Sequence, residues 1–384
     1  MITGIKIANF KALKDFCIEN LPKLVCLIGM NGAGKSSLLQ ALDFVAASFS
    51  GGDHFRDWKG EDILNGQAER SADICFELKL ALSSGKQVSW GGEFSIREWK
   101  YRKEWVKDAD NRTLLYFDGA YLKLDSAKSE IDLQDSAHKG SVFSTRKFEH
   151  DLVLKEVKEE IMELKSLELL SPDELRRGSR TVEEISLGGA GLPGFIKTLK
   201  KEKKLANLVA DLQLFYPSLR TIEPNKPGPG WFGFDVSEVY GDEPKDGYAY
   251  VTGMKHVNDG FLRILAIVSQ KYTKKRIILF DEIENGVNQE LIAKLVDFLI
   301  TGFDDKTGLD DRQIFITTHS ALVLNYLNDE MVRDGVVLLY RDKVGATKGV
   351  KFFEIEGMYE KLGYLNAGQV MAATDLVELN GRLP

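Results

Sequence analysis

Gly29-Met30-Asn31-Gly32-Ala33-Gly34-Lys35-Ser36 decides the reading of this chain. The stretch satisfies every fixed position of the spacing GxxxxGK[ST]. Glycines there let backbone N–H groups converge on a phosphate, and a helix beginning at this point adds partial positive charge. The flanks agree with that geometry. Leu24-Val25-Cys26-Leu27-Ile28 is an unbroken apolar run, as expected of a strand buried on both faces. Ser37, Leu38, Leu39, Ala41, Leu42 and Val45 then follow helical spacing. Asn31, Gly32, Ala33, Gly34 and Ser37 are expected to cradle a nucleotide's phosphates. Lys35 is expected to reach the outer phosphates, and Ser36 to set its hydroxyl on Mg²⁺.

Two later runs of the same kind end in polar residues. Ile277-Ile278-Leu279-Phe280 leads into Asp281-Glu282. A carboxylate at a strand end can hold Mg²⁺, and its neighbour can polarise an attacking water. Ile314-Phe315-Ile316-Thr317-Thr318 leads into His319-Ser320, and a His at that point can sense a terminal phosphate. Val257-Asn258-Asp259-Gly260 precedes a helix expected over Gly260 to Gln270. Asn258 and Gly260 suit a second anion site, and the same residues suit an ordinary helix cap.

Working outward, Ile5 to Phe10 alternates like a half-buried strand, and a second short strand is expected near Phe16 to Ile18. Ser50 to Gly66 reads as a loop. Ala72–Leu82, Gln87–Ile96, Glu98–Val106 and Arg112–Leu124 read as strands of a flanking antiparallel sheet, and Asp125–Ser144 as a mobile loop. Asp151–Leu170 and Phe195–Tyr216 read as helical, and Thr221–Val251 as strands and turns. Helix Gln289–Ile300 and strands Val336–Tyr340 and Val350–Phe353 complete the pattern. The spacing therefore predicts an N-terminal half of the core with its antiparallel sheet over 1–145. A helical insertion follows over 146–218, and the C-terminal half of the core over 219–384.

Composition narrows the class. With 384 residues, 43% hydrophobic and 28% charged, the chain has enough apolar content for a large core and is not disordered. No apolar run approaches membrane-spanning length, and Met1 to Phe10 has no signal-peptide pattern. Cys17, Cys26 and Cys75 lack a CxxC spacing and read as reduced packing residues of a cytoplasmic protein. The net charge of −7 means that any DNA or RNA contact must come from a local patch. Lys197, Lys200, Lys201, Lys203 and Lys204 form one basic run, which suits either a phosphate contact or a solvated helix face.

Taken together, Gly29–Ser36, Asp281-Glu282, His319 and Val257–Gly260 resemble the motifs of ABC-type ATPase heads of the SMC, RecF and RecN kind. They look closest to stand-alone prokaryotic defence ATPases of the OLD, Septu and PARIS type. The resemblance spans about residues 1–45 and 250–325. It implies an α/β P-loop NTPase of ABC type, with ATP and Mg²⁺ as cofactors. By resemblance Gly29–Ser36 is Walker A, Asp281 the Walker B metal carboxylate, Glu282 the catalytic glutamate and His319 the switch histidine. Glu284–Asn288 is then the D-loop, and Val257–Gly260 sits in place of the signature, with Asn258 where the family has serine. That departure leaves open an ATP-locked scaffold with little turnover. The resemblance further implies a homodimer or higher homo-oligomer closed through the ATP sites, gating a separate nuclease or toxin in antiviral defence. A RecF-like DNA-binding ATPase is the alternative. No Q-loop glutamine is placed, and no Toprim-like acidic strand pattern follows Ser320, so no nuclease is expected in the chain itself.

Overall fold

The computed structural model describes residues 1–51, 60–69, 72–125, 129–133, 140–146, 151–167, 170–240, 248–302 and 312–374, together with positions 55, 58, 148 and 379. Its centre is a six-stranded sheet in the order β10 (Leu164–Ser166), β14 (Ile277–Phe280), β15 (Gln313–Thr317), β3 (Leu24–Ile28), β16 (Val336–Arg341) and β17 (Thr347–Lys351). The first five strands are mutually parallel, and β17 closes one edge antiparallel to β16. Both faces are buried, which is why the core strands read as continuous apolar runs. Val25, Leu27, Ile277, Leu279, Phe315, Val337 and Leu339 pack into one core. Their alternates Cys26, Ile28, Ile278, Phe280, Ile314, Ile316 and Leu338 pack into the other.

The first core is closed by the helix Lys35–Ser50 and by an antiparallel sheet of eight strands. That sheet runs β2 (Leu13–Glu19), β1 (Ile2–Phe10), β4 (Ile74–Ala81), β5 (Gln87–Ser95), β6 (Lys100–Asp108), β7 (Thr113–Phe117), β8 (Tyr121–Leu124) and β9 (Ser129–Asp132). Phe44 and Phe49 on the helix meet Phe94 and Trp90 on β5 edge to face. The second core is closed by the helices Leu192–Lys201, Leu205–Gln213, Asp259–Ser269 and Gln289–Asp297. A three-stranded sheet, β11 (Leu219–Gly228), β12 (Trp231–Tyr240) and β13 (Tyr248–Gly253), packs on the same side.

Several expectations are corrected. Arg112–Leu124 is a hairpin, because Asp118 accepts from Ala120 N and Tyr121 N and Gly119 takes a φ of 94°. Asp125–Ser144 is not one loop: β9 pairs with β8, and Val142–Thr145 is a helical turn with Val142 and Phe143 buried. Residues 126–128 and 134–139 of that stretch lie outside the described residues. The expected loop Ser50–Gly66 holds a short helix, Gly60–Ile63, while residues 52–54, 56, 57 and 59 lie outside the described residues. The helix expected over Asp151–Leu170 ends at Met162. β10 follows it and joins the core sheet, so the stretch expected as a helical insertion also supplies a core strand. Its local period is short, with Leu164 and Ser166 buried on either side of Lys165. The pairing is anchored from afar by Arg276 N and Ile277 N donating to Glu163 O. The last expected strand, Val350–Phe353, begins earlier as β17, and Phe352–Glu354 is a 3₁₀ turn. Of the cysteines, Cys26 is a buried packing residue while Cys17 is exposed.

Candidate nucleotide site

The glycine loop lies between β3 and the helix Lys35–Ser50. Its glycines are required by close neighbours as well as by conformation. A Cβ on Gly29 would sit 2.2 Å from Leu339 O, and one on Gly34 2.4 Å from Thr347 Oγ1. Gly29, Gly32 and Gly34 all have positive φ, which L side chains rarely adopt. The helix starts at Gly34 with no side-chain cap and no acidic residue in its first turn, so its N–H groups suit an anion. Asn31 and Gly32 are exposed, Ala33 and Gly34 buried, and Ser36 and Ser37 half-buried at the helix start.

The β16–β17 hairpin braces this loop. Thr347 Oγ1 donates to Ala33 O at 2.9 Å, and Arg341 Nε to Gly32 O at 2.9 Å. The sequence offered no local signal for either residue, since each lies more than 300 positions from its partner.

Lys35, only 5% exposed, donates to Gly29 O at 2.8 Å and Met30 O at 3.1 Å. Its Nζ also lies 3.3 Å from His319 Nδ1. An ammonium only donates, so Nδ1 is the acceptor and the imidazole proton sits on Nε2. That nitrogen is 3.7 Å from Glu282 Oε1. His319 therefore stands between Lys35 and Glu282. Burial pushes the Lys35 ammonium down to about 8, against the pull of Asp281, Glu282 and Glu284.

Thr317, at the end of β15, organises the two carboxylates. Its hydroxyl donates to Asp281 Oδ1 at 2.5 Å and accepts from Glu282 N at 2.7 Å. Glu282 has a φ of 48°, an uncommon conformation for a side chain of its size. Asn285 Nδ2 holds its Oε2 at 3.1 Å, and Ile283 N bonds Thr317 O at 3.2 Å. Glu284 Oε1 accepts from His319 N at 2.7 Å, fixing the histidine's backbone. Thr317 was within the quoted strand, and a polar residue closing an apolar run was its visible signal.

Asn258 and Gly260 make other contacts. Asn258 Oδ1 accepts from Phe261 N at 2.7 Å and so caps the helix Asp259–Ser269. Gly260 allows close approach of the Glu284–Asn288 turn, since a Cβ there would lie 2.8 Å from Gly286 O. Arg263 on the same helix is pushed down by burial, with Asp259 and Glu282 offsetting part of that shift.

The residues fit a nucleotide with Mg²⁺: an uncapped helix start and a lysine for phosphates, with the Ser36 hydroxyl and Asp281 as hard oxygen ligands. Among the described residues no group of three or more His, Cys, Asp or Glu forms a metal site by itself. The protein would therefore supply only part of the ion's coordination, as is usual for Mg²⁺ beside phosphates.

A P-loop bridging a parallel sheet and a helix, with two carboxylates at the end of β14, one strand removed from β3 across β15, defines an α/β P-loop NTPase core of ABC type with a flanking antiparallel sheet. The chain belongs to the family described as "AAA domain, putative AbiEii toxin, Type IV TA system", whose model matches residues 24–325. No curated protein matches it. Among solved structures it is similar to the SMC head domain from Thermotoga maritima, at 11% identity and a TM-score of 0.46, covering 91% of this chain and 98% of that one. It is also similar to the Smc head domain with an extended coiled coil bound to the C-terminal domain of ScpA from Pyrococcus furiosus. That match has 14% identity and a TM-score of 0.48, covering 94% of this chain and 99% of that one. Among the described residues no helix is long and apolar enough to cross a membrane.

Proposed function

We propose that this chain is an ATPase that closes as a homodimer or higher homo-oligomer on ATP and uses hydrolysis as a conformational switch. The observation that carries the reading is His319, 3.3 Å from Lys35 Nζ and 3.7 Å from Glu282 Oε1. Lys35 and the backbone from Asn31 to Ser37 hold the phosphates. Ser36 and Asp281 hold Mg²⁺, which supplies charge neutralisation on the phosphate oxygens. Glu282 accepts a proton from water as its oxygen bonds the terminal phosphorus and the bond to the bridging oxygen breaks, giving ADP and inorganic phosphate. His319 and Lys35 offset charge on the transferring group.

Asn258 and Gly260 are proposed to complete the site of a second copy, because within one chain they contact their own helix and the D-loop. The switch would gate a separate nuclease or toxin in a cytoplasmic antiviral system, in keeping with the toxin–antitoxin wording of the family description. A second reading, an ATP-locked scaffold with little turnover, is favoured by the Asn258 carbonyl oxygen being engaged as a helix cap.

The test is ATP turnover of wild type and Glu282→Gln, with mass by light scattering with and without ATP. Turnover by wild type, with an ATP-bound dimer accumulating in Glu282→Gln, is expected. Equal turnover by both proteins would remove Glu282 from the chemistry. A fixed mass without turnover in either would favour the scaffold.

A further inference from the structure

A cavity of about 630 Å³ opens on the face of β11–β13 that is turned away from the core. Phe234 and Val236 of β12 point into the core, and the alternate positions Trp231, Gly233 and Asp235 line the cavity. Its side wall is the chain at Arg176–Gly178. Ser179 exchanges two backbone hydrogen bonds with Phe232 and so extends the edge of β12 beyond the end of β13. The far wall is Met254–His256, which leads directly into Asn258. The volume is within the range of about 300–1,000 Å³ usual for small-molecule sites.

The lining has a distinct chemistry. Trp231 is 46% exposed, an unusual state for an indole, and its ring edge lies beside Gly178, where a Cβ would sit 4.0 Å from Cε3. A Cβ at Gly233 would meet Asn225 Oδ1 at 2.6 Å, so the glycine leaves room for the Asn225 amide at the cavity floor. Arg176, Arg177 and Lys255 line the cavity together with one acid, Asp235. Arg176 is anchored: its Nη2 donates to Val257 O at 2.6 Å and pairs with Asp259. Its buried Nε has no hydrogen-bond partner among the described residues. Among the described residues the Arg177 side chain makes only a surface pair with Glu174 at 3.5 Å, and the Asp235 carboxylate makes no hydrogen bond or ion pair. An exposed indole at the cavity suits stacking by a planar ring, and the cations suit a phosphate. The Asp235 carboxylate suits a ring that carries an exocyclic amine.

We propose that this cavity is a second ligand site, separate from the P-loop, which takes a nucleoside phosphate with its base on Trp231 and its phosphate on Arg176, Arg177 and Lys255. The unit can come from a free nucleotide or from a single strand of nucleic acid. The site stands independently of the ATPase reading.

The test is fluorescence anisotropy of a labelled single-stranded oligodeoxyadenylate on the full chain at low salt, with dAMP and an oligodeoxythymidylate as competitors. Trp231→Ala and Arg177→Ala are each expected to weaken binding by about 10-fold, the range for one stacked base or one phosphate contact. Both side chains are surface groups, and thermal melts check the fold of each variant. Lys201→Ala/Lys203→Ala, in the basic run outside the cavity, is expected to change binding less than about 2-fold, as surface charges at a distance do. The adenylate strand is expected to outcompete the thymidylate, which lacks the exocyclic amine. Competition by dAMP identifies a free nucleotide as sufficient, and its failure identifies the strand as the source. The proposal is overturned if wild type binds neither the strand nor labelled dAMP, if both cavity variants bind like wild type, or if polyglutamate displaces the strand equally well.

Discussion

The Thr317 hydroxyl lies 2.5 Å from Asp281 Oδ1 and joins the end of β15 to the end of β14. The same oxygen accepts from Glu282 N at 2.7 Å, so one hydroxyl holds the Asp281 carboxylate directly and Glu282 through its backbone. Thr317 is fully buried, and valine would keep its shape while removing both bonds. Thr317→Val is expected to cost about 1–3 kcal/mol for the stranded polar groups. Turnover is expected to fall by up to about 10²-fold, the scale of a small misplacement of catalytic groups. KM should move much less, and Thr317→Ser should recover most of the loss. Steady-state turnover with parallel melts would show it, and a valine variant as active as wild type would exclude Thr317 as the organiser.

Lys35 is expected to make nucleotide binding pH-dependent. Its ammonium is pushed down to about 8 by burial. Below that pH the free protein already carries the charge, and above it the lysine has lost its proton. Bound polyphosphate favours the charged form, so binding above pH 8 takes up a proton. Affinity should then fall as pH rises, approaching about tenfold per pH unit. Fold stability moves the other way between about 8 and the ordinary lysine value of 10.5, because there the unfolded chain holds the proton that the folded one has released. Calorimetry of a non-hydrolysable ATP analogue across pH 8, in two buffers of different ionisation enthalpy, would measure the uptake. A flat profile would mean that Lys35 does not meet the phosphates.

The P-loop and its flanking strand and helix were legible because each rests on residues adjacent in sequence. The glycines at 29, 32 and 34 announce positive φ, and Leu24–Ile28 announces burial on two faces. The Asp281-Glu282 pair was legible for the same reason. What braces them was not. Arg341 and Thr347 reach the loop only through β16–β17 pairing, and nothing near them in sequence signals a phosphate loop. β10 was hidden because three residues cannot display a period, and its pairing is fixed by Arg276 and Ile277 far away. Asn258 was read both as a cap and as an anion site, and within one chain its geometry is that of the cap.

Glu104 is a fully buried carboxylate on β6 that ties the segment after β9 to the antiparallel sheet. Its Oε1 accepts from Trp90 Nε1 at 3.0 Å and Ser141 Oγ at 2.5 Å, and its Oε2 from Phe143 N at 3.1 Å. Burial pushes its carboxyl group up, and those three donors offset part of the shift. A carboxyl with a raised folded pKa contributes most when protonated. Its contribution should therefore decline as pH rises from the ordinary carboxylate value through the folded one. Glu104→Ala strands three buried donors and should cost about 3 kcal/mol or more. Glu104→Gln keeps an acceptor for Trp90 and Ser141 but turns an N–H toward Phe143 N, so it should cost less and flatten the pH dependence. Urea unfolding of the three proteins from mildly acidic to neutral pH decides it. An alanine variant as stable as wild type would mean that Ser141 and Phe143 find other partners and that Glu104 is not what holds this segment.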